Sequence, residues 1–259
     1  MRILVTNDDG VFAEGLWALV RELKGIAEVV VVAPDREISA IGTAVSLHQA
    51  VRARQVTPTL DGVEAYAVEG TPSDSVILAL DKLIKGKVDL VISGINRGAN
   101  LGDDTLISGT VGGAIQASLH GLPAFAISMV SGDKIYFGDA AKFAVLLAKK
   151  FSAGVFPNNT CLNVNLPNLP LEKIKGVKLT YPASKSHTDT IEERYDNGRK
   201  YYWLVRQRVN KPLDERTDIW AIEQGNISIS PLLTSEVGKP SPLIPDSLCS
   251  DLFSELQKI

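Results

Sequence analysis

Short, continuously apolar runs alternate with segments in which apolar residues recur every three or four positions over the first 155 residues. The apolar runs are bounded by turn signals, as expected of strands covered on both faces. They lie at residues 3–5, 29–34, 88–96 and 123–129, with two further strand-like stretches at 51–56 and 64–70. The helical spacing occurs at residues 16–23, 71–84, 109–121 and 139–151. This alternation predicts an α/β fold with a Rossmann-like, doubly wound and mostly parallel sheet over residues 1–155.

The pattern changes after residue 155. Four strand-like stretches joined by polar loops follow at 161–167, 176–182, 200–207 and 226–232. Leu248, Leu252 and Leu256 recur with a spacing of four after a Pro-rich connector, which predicts a terminal helix over residues 245–259. Residues 156–259 are therefore predicted to be a β-rich elaboration with a C-terminal helical arm. The Rossmann-like core of residues 1–155 and this elaboration are expected to form one continuous domain.

Composition narrows the class of protein. The 259 residues are 45% hydrophobic and carry a net charge of -3, so no basic field attracts a nucleic-acid polymer or a membrane surface. No apolar run reaches the roughly 18 residues that span a bilayer. Cys161 and Cys249 are far apart in the sequence, which disfavours a zinc site or a disulfide framework. We therefore expect a cytoplasmic protein.

Oxygen-bearing side chains follow three of the predicted strands. Asn7, Asp8 and Asp9 come after the first strand, Ser39 follows the second, and Asn96 ends the strand at 88–96. The carboxyl ends of parallel strands share one edge of an open sheet, where ligands bind. Adjacent strand residues point to opposite faces, but on a turn the two aspartates can converge.

Two carboxylates in contact repel each other unless a cation lies between them. The oxygen set suits Mg²⁺ or Mn²⁺, whereas zinc is a poorer match because His and Cys are almost absent from these loops. The alternative is that Asp8, Asp9 and Gly10 form an ordinary turn and helix cap. Their joint arrival with Ser39 and Asn96 at one edge favours the metal site.

Ser108, Gly109 and Thr110 stand directly before a predicted helix. The free N–H groups and the dipole of a helix start suit a phosphate, and the alternative is a Thr N-cap with glycines for close packing. Neither the P-loop pattern nor the dinucleotide Gly-x-Gly-x-x-Gly occurs in the chain. A serine hydrolase is disfavoured because no Gly-x-Ser-x-Gly elbow is present, and His187 is expected to lie in a loop.

Four motifs together resemble the SurE family, the survival-protein-E type nucleotidases. They are ILVTNDDG, VVAPDRE with Ser39, VEGTPSDSV, and DLVISGINRGANLGDDTLISGTVGGA, in that order within residues 1–130. Beyond residue 130 the similarity is thinner, chiefly at NVNLP and TDIWAIEQGNISISPL.

The resemblance implies a 5′-nucleotidase that hydrolyses nucleoside 5′- and 3′-monophosphates by attack of metal-activated water, with one Mg²⁺ or Mn²⁺ per subunit. By motif, the metal ligands would be Asp8, Asp9, Ser39 and Asn96, and the two aspartates would also be catalytic. The phosphate would lie against Asn7, Asn96, Ser108, Gly109 and Thr110. The family also implies a homodimer formed by exchange of the C-terminal arms, with tetramers as a further state.

One departure from the family and two rival functions stay open. Where many relatives read Gly-His-Ser, this chain has Gly42, Thr43 and Ala44, so a histidine and a hydroxyl near the phosphate are missing. One rival is a haloacid-dehalogenase-like phosphatase, although its chemistry needs Asp-x-Asp and the carboxylates here are adjacent. The other rival is a non-catalytic nucleotide sensor that keeps the metal only for binding.

Overall fold

The computed structural model describes residues 1–157, 159–209 and 213–232 of the chain. The first half contains β1 (Arg2–Thr6), α1 (Glu14–Leu23), β2 (Glu28–Pro34), β3 (Ala53–Gln55), β4 (Glu64–Val68), α2 (Pro72–Leu78), β5 (Leu90–Arg97), α3 (Asp104–Ile107), α4 (Gly109–Leu119), β6 (Ala124–Met129) and α5 (Phe137–Ser152). The second half contains β7 (Cys161–Leu166), β8 (Gly176–Leu179), β9 (His187–Asp196), β10 (Arg199–Arg208), α6 (Asp218–Glu223) and β11 (Asn226–Pro231). A wider helical turn, Ala79–Leu83, extends α2, and a short 3₁₀ turn covers Leu171–Lys173.

Nine strands form one sheet in the order β3-β4-β2-β1-β5-β6-β7-β11-β8. The strands from β4 to β7 are parallel to their neighbours, whereas β3 and β11 pair antiparallel with β4 and β7. The predicted doubly wound, mostly parallel α/β sheet is confirmed. Strands β7, β8 and β11 come from the part of the chain after residue 155 and extend this same sheet.

The sheet is buried between two helical layers. On β1, Ile3 and Val5 face one layer and Leu4 faces the other, as the alternation of strand side chains requires. The first layer holds α1 and α5, and the second holds α2 and α4. All three of these β1 side chains are fully buried, which explains why this strand reads as continuously apolar.

The first turn of α2 contains a reciprocal capping pattern. Thr71 Oγ1 accepts the Asp74 N–H at 3.0 Å, and the Asp74 carboxylate accepts the Thr71 N–H at 2.9 Å. Pro72 occupies the first helical position, where a missing N–H costs nothing. The reciprocal bonds satisfy two backbone donors at the helix start.

Two features of the second half differ from the pattern-based expectation. The loop predicted around His187 is wrong, because His187 begins β9, which pairs antiparallel with β10 in a separate two-stranded hairpin. The short helix α6 was not predicted, and its six residues offer too little periodicity to be seen. The predicted terminal helix over 245–259 lies outside the described residues. Within the described ranges, no helix is long and apolar enough to cross a membrane.

Candidate active site

The candidate site lies where the direction of strand succession reverses. From β1 the chain adds β2 and β4 on one side and then returns to place β5 on the other side of β1. Ligands of open α/β sheets bind outside the carboxyl ends of the strands at this switch point. The turn after β1, which carries the predicted aspartates, and the end of β5, which carries Asn96, flank it.

A tight turn after β1 presents the two adjacent aspartates. Asn7 is fully buried, and its Nδ2 donates to the Gly10 carbonyl at 3.0 Å, which closes the turn. Gly10 has a φ of +99°, a backbone conformation that residues with a side chain rarely adopt. The Ile38 N–H donates to the Asp8 carbonyl at 2.8 Å and so fixes the loop after β2 beside the turn.

Asp8 is held by the start of α4. Its carboxylate accepts bonds from the hydroxyl and the backbone N–H of Thr110. Burial raises the pKa of Asp8 above its usual range, and the two Thr110 bonds oppose that rise without cancelling it. Gly109 is required here, because a Cβ at that position would lie 2.9 Å from Asp8 Oδ2.

Asp9 faces the loop that follows β5. Its Oδ2 accepts the Arg97 N–H at 3.0 Å. Burial raises the pKa of Asp9 to about 6, and the negative charges of Asp8 and Glu37 add to the rise against the Arg97 bond. The environment of Asp8 and Asp9 therefore disfavours the ionisation of both carboxyl groups.

Ser39 and Asn96 add two oxygen donors of a different kind. Ser39 is exposed and donates its hydroxyl to Glu37 Oε1 at 2.8 Å. Asn96 Nδ2 donates to the Gly98 carbonyl at 2.8 Å. This bond uses one of the two amide hydrogens of Asn96, and the side-chain oxygen is the candidate metal ligand.

A cavity of about 170 Å³ brings most of the predicted site residues together, and we call it the catalytic cavity. It is lined by Asp8, Asp9, Glu37, Ser39, Ala40, Asn96, Arg97, Ala99, Asn100, Asp104, Ile107 and Ser108. Asn7, Gly109 and Thr110 are buried residues outside this lining, so they support the cavity wall.

The predicted phosphate site at the start of α4 is partly used by the protein itself. Ser108 is the N-cap and its Oγ accepts the Val111 N–H at 3.2 Å, so the alternative of a Thr cap does not hold. The Thr110 N–H and hydroxyl serve Asp8. Ser108 and the Gly109 N–H are the parts of this helix start that remain for a phosphate.

Side chains from the second half of the chain hold the loop between β5 and α4. The Asn100 N–H donates to Asn165 Oδ1 at 2.8 Å, and Asn163 Nδ2 donates to the Asn100 carbonyl at 2.8 Å. Buried Asp218 accepts the N–H groups of Gly102 at 2.8 Å and of Ala183 at 3.0 Å. The motifs NVNLP and TDIW thus position one wall of the catalytic cavity.

The donor set fits a hard divalent cation. No three His, Cys, Asp or Glu side chains among residues 1–157, 159–209 and 213–232 form a group that could hold a metal ion. The carboxylates of Asp8 and Asp9 line the catalytic cavity together with the hydroxyl of Ser39 and the amide of Asn96, and Mg²⁺ and Mn²⁺ accept such oxygen ligands. Burial raises the pKa values of both aspartates, and a cation beside them would favour their charged forms.

Several lining residues were not predicted from the sequence. Glu37, Arg97, Asn100 and Asp104 line the catalytic cavity: Glu37 follows β2, Arg97 ends β5, Asn100 lies in the loop after β5, and Asp104 begins α3. Their positions near the carboxyl ends of β2 and β5 were the only available signal, since nothing in the residue types distinguishes them from ordinary polar surface residues. Asp104 also binds the base of the hairpin, with Arg206 Nε at 2.7 Å and His187 Nε2 at 3.2 Å.

Comparisons with known proteins show which proteins this chain is similar to. The family model described as "Survival protein SurE" matches residues 3–189. A 5′-nucleotidase SurE of Dehalococcoides mccartyi (strain CBDB1) is 50% identical over 90% of this chain and 88% of its own length. The protein of that name from Vibrio parahaemolyticus is 43% identical over 90% of this chain and 88% of its own length. A crystal structure of the SurE protein from Aquifex aeolicus gives a TM-score of 0.78 at 36% identity, covering 90% of this chain and 94% of that one.

Proposed function

Because this chain belongs to the SurE family, we propose that it hydrolyses nucleoside 5′- and 3′-monophosphates to nucleoside and phosphate with one bound Mg²⁺ or Mn²⁺ per subunit. The chain is a 5′-nucleotidase, as its relatives of that name indicate. The 3′-activity, the identity of the metal and the roles of single residues are the further content of the proposal. The observation that carries it is the convergence of Asp8, Asp9, Ser39 and Asn96 on the catalytic cavity.

The side chains of Asp8, Asp9, Ser39 and Asn96 would hold the cation. When bound, it supplies a Lewis acid for the phosphoryl oxygens and lowers the pKa of coordinated water. Thr110 fixes the Asp8 carboxylate, and the Arg97 N–H fixes Asp9 through Oδ2. Asp9 Oδ1 is then the atom that orients the attacking water and receives its proton. Ser108 and the Gly109 N–H, at the positive end of α4, bind the phosphate.

Removal and return of the metal test the reaction. We expect the wild-type protein to release phosphate from a nucleoside 5′-monophosphate, EDTA to abolish the release, and Mn²⁺ to restore it. Binding of the nucleotide without phosphate release would instead indicate a sensor. Release that EDTA leaves unchanged would contradict the role of a metal.

Substitution of the two carboxylates tests their roles. Asp8→Asn and Asp9→Asn each remove a negative ligand and should lower kcat/KM by more than about 100-fold, beyond the 10–100-fold typical of residues that only support a ligand. Asp81→Asn, at an exposed carboxylate on the turn after α2, is the control and should keep wild-type activity.

The stereochemistry at phosphorus tests the number of displacement steps. A chiral phosphorothioate substrate should react with inversion, because one displacement is proposed. Retention would indicate an aspartyl-phosphate and contradict the mechanism.

Assembly is the second part of the proposal. We propose a homodimer formed through exchange of the C-terminal arms, with a tetramer as a further state, although the arm lies outside the described residues. One face of the hairpin supports the proposal of a partner subunit. The alternation of side chains along β9 and β10 places four exposed apolar side chains together on that face. They are Ile191, Tyr195, Tyr202 and Leu204, each more than 60% exposed. A patch of this kind on a folded protein marks an interaction site.

The cytoplasm is the proposed location. Cys161 is buried and free, and burial raises the pKa of its thiol to about 12, so it resists ionisation and oxidation. A free thiol without a structural disulfide suits a reducing compartment. Fractionation of the source cells would test this location.

A further inference from the structure

A second cavity adjoins the catalytic cavity on the side of α1 and α5. We call it the α1 cavity, and its volume is about 560 Å³. It is lined by Asp9, Ala13, Glu14, Gly15, Glu37, Arg97, Asp133, Lys134, Ile135 and Phe137. Asp9, Glu37 and Arg97 line both cavities, so a single molecule can extend from one into the other.

The sizes of the two cavities assign them different parts of a substrate. Pockets for whole small molecules measure roughly 300–1,000 Å³. The catalytic cavity, at about 170 Å³, falls below that range and has room for a phosphate and its cation. The α1 cavity, at about 560 Å³, falls within the range and has room for the group that carries the phosphate.

The walls of the α1 cavity combine an apolar surface with a charged rim. Ile135 is half-buried, and Phe137 is only 6% exposed because its ring packs against the start of α1 at Gly15. The carboxylates of Glu37 and Asp133 stand among the exposed residues of the lining. A flat base suits the apolar wall, and ribose hydroxyls suit the carboxylates, which accept hydrogen bonds.

We infer that the α1 cavity binds the nucleoside of the substrate, with the base against Ile135 and the ribose hydroxyls toward Glu37 and Asp133. This assignment rests on the proposed nucleotidase function, which supplies the phosphate end of the same molecule.

Two substitutions on different elements of the wall test the assignment. Ile135→Trp and Ala13→Trp each add an indole ring to the cavity, from the loop before α5 and from the residue before α1. Leu146→Trp is the matched control, at a 60% exposed position of α5 outside both cavities. The probes are adenosine and inorganic phosphate, measured by calorimetry and as competitive inhibitors of nucleotide hydrolysis. Circular dichroism verifies that each variant is folded.

We expect the two cavity variants to raise the dissociation constant of adenosine at least about tenfold, which corresponds to the loss of a modest part of its binding free energy. The inhibition constant of phosphate should stay within about threefold of the wild-type value, since its site is separate. The control should change neither constant. Wild-type adenosine binding in both folded cavity variants would overturn the assignment. A parallel loss of phosphate and adenosine binding would also overturn it, because the effect would then lie in the catalytic cavity.

The same measurements separate this inference from the function on which it rests. Suppose that the wild-type protein binds adenosine and both cavity variants do not, but that the wild-type protein releases no phosphate from nucleotides. The nucleoside site then stands and the proposed reaction fails. If the wild-type protein hydrolyses nucleotides and the cavity variants do so with unchanged KM, the reaction stands and the nucleoside site fails.

Discussion

At the scale of single residues, the adjacency of Asp8 and Asp9 has a structural explanation. The turn closed by Asn7 and Gly10 lets neighbouring side chains converge, and each carboxylate is then fixed by a different part of the chain. Thr110 of α4 holds Asp8, and the Arg97 N–H after β5 holds Asp9. The Asn7 amide nitrogen donates to the Gly10 carbonyl within the turn, and the buried Asn7 Oδ1 has no partner among the described residues. Its predicted place against the phosphate stays a prediction.

The raised pKa of Asp9, about 6, predicts how stability depends on pH in the metal-free protein. In the unfolded chain Asp9 ionises near pH 4, so between about pH 4 and pH 6 the folded state retains a proton that the unfolded state has lost. The free energy of unfolding should therefore fall as the pH rises through this window. Asp9→Asn removes this destabilising effect of the ionised Asp9 carboxylate, so the variant should be more stable than the wild-type protein above pH 6.

Urea denaturation in EDTA between pH 4.5 and pH 8 measures this effect. The stability difference between Asp9→Asn and the wild-type protein should grow from pH 4.5 to about pH 6 and then stay level. Asp81→Asn serves as the exposed control and should show no such pH-dependent difference. A constant difference at all pH values would contradict the raised pKa of Asp9.

At the scale of elements, the start of α4 determines the shape of the catalytic cavity. Gly112 lets the loop after β2 approach the helix, because a Cβ there would lie only 2.1 Å from the Gly42 carbonyl oxygen. The Gly42 N–H also donates to the Ile107 carbonyl at 2.8 Å. Thr43 and Ala44 follow on the exposed part of this loop. Ser108 is therefore both the N-cap of α4 and a wall of the cavity.

This double role of Ser108 leads to a prediction with a matched control. Ser108→Ala and Thr217→Ala each remove an N-cap hydroxyl, of α4 and of α6, and each should cost about 1 kcal/mol of stability. Only Ser108→Ala should lower kcat/KM, because Ser108 lines the catalytic cavity and Thr217 does not. Urea denaturation and initial rates on a nucleoside 5′-monophosphate measure the two effects. If Ser108→Ala were destabilised but fully active, the hydroxyl would be a helix cap alone.

At the scale of the whole molecule, the hairpin is joined to the rest of the chain near the catalytic cavity. Asp104 lines that cavity and is bound by Arg206 and His187 at the base of the hairpin. Among the described residues, β9 and β10 pair only with each other, and their apolar face is exposed. A subunit that covers this face would thus sit beside the active site.

Assembly is predicted to depend on both the hairpin and the arm. Light scattering at micromolar concentration should give the mass of a dimer or tetramer for the wild-type chain. Leu204→Glu, which places a charge on a 76% exposed apolar position of the hairpin, should lower that mass, and so should removal of residues 240–259. Leu146→Glu, on the exposed side of α5, should leave it unchanged. A wild-type monomer, or a mass unaffected by both changes, would contradict the proposed assembly.

The sequence alone determined the architecture and predicted the edge of the sheet that carries the candidate site. Continuous apolar runs identify strands covered on both faces, and the intervening helical periodicity implies parallel crossovers, so the carboxyl ends of the strands must meet at one edge. Asp8, Asp9, Ser39 and Asn96 were assigned to that edge by their places at or after strand ends, and Ser108 was singled out by its place before a helix; all of them line the catalytic cavity. These inferences depend on local periodicity, which a single sequence contains.

Tertiary structure alone decided which side chains fix the site and where a second cavity opens. The bond from Thr110 to Asp8 spans 102 positions of the chain, and that from Gly102 to Asp218 spans 116, so no local pattern announces them. The hairpin strand β9 was missed because its side chains are almost all exposed, which leaves no alternation of buried and polar positions to read. The α1 cavity likewise arises from the spacing between α1, the loop after β6 and Arg97. Such spacing is set by how whole elements pack, and packing depends on contacts between residues that are distant in the sequence.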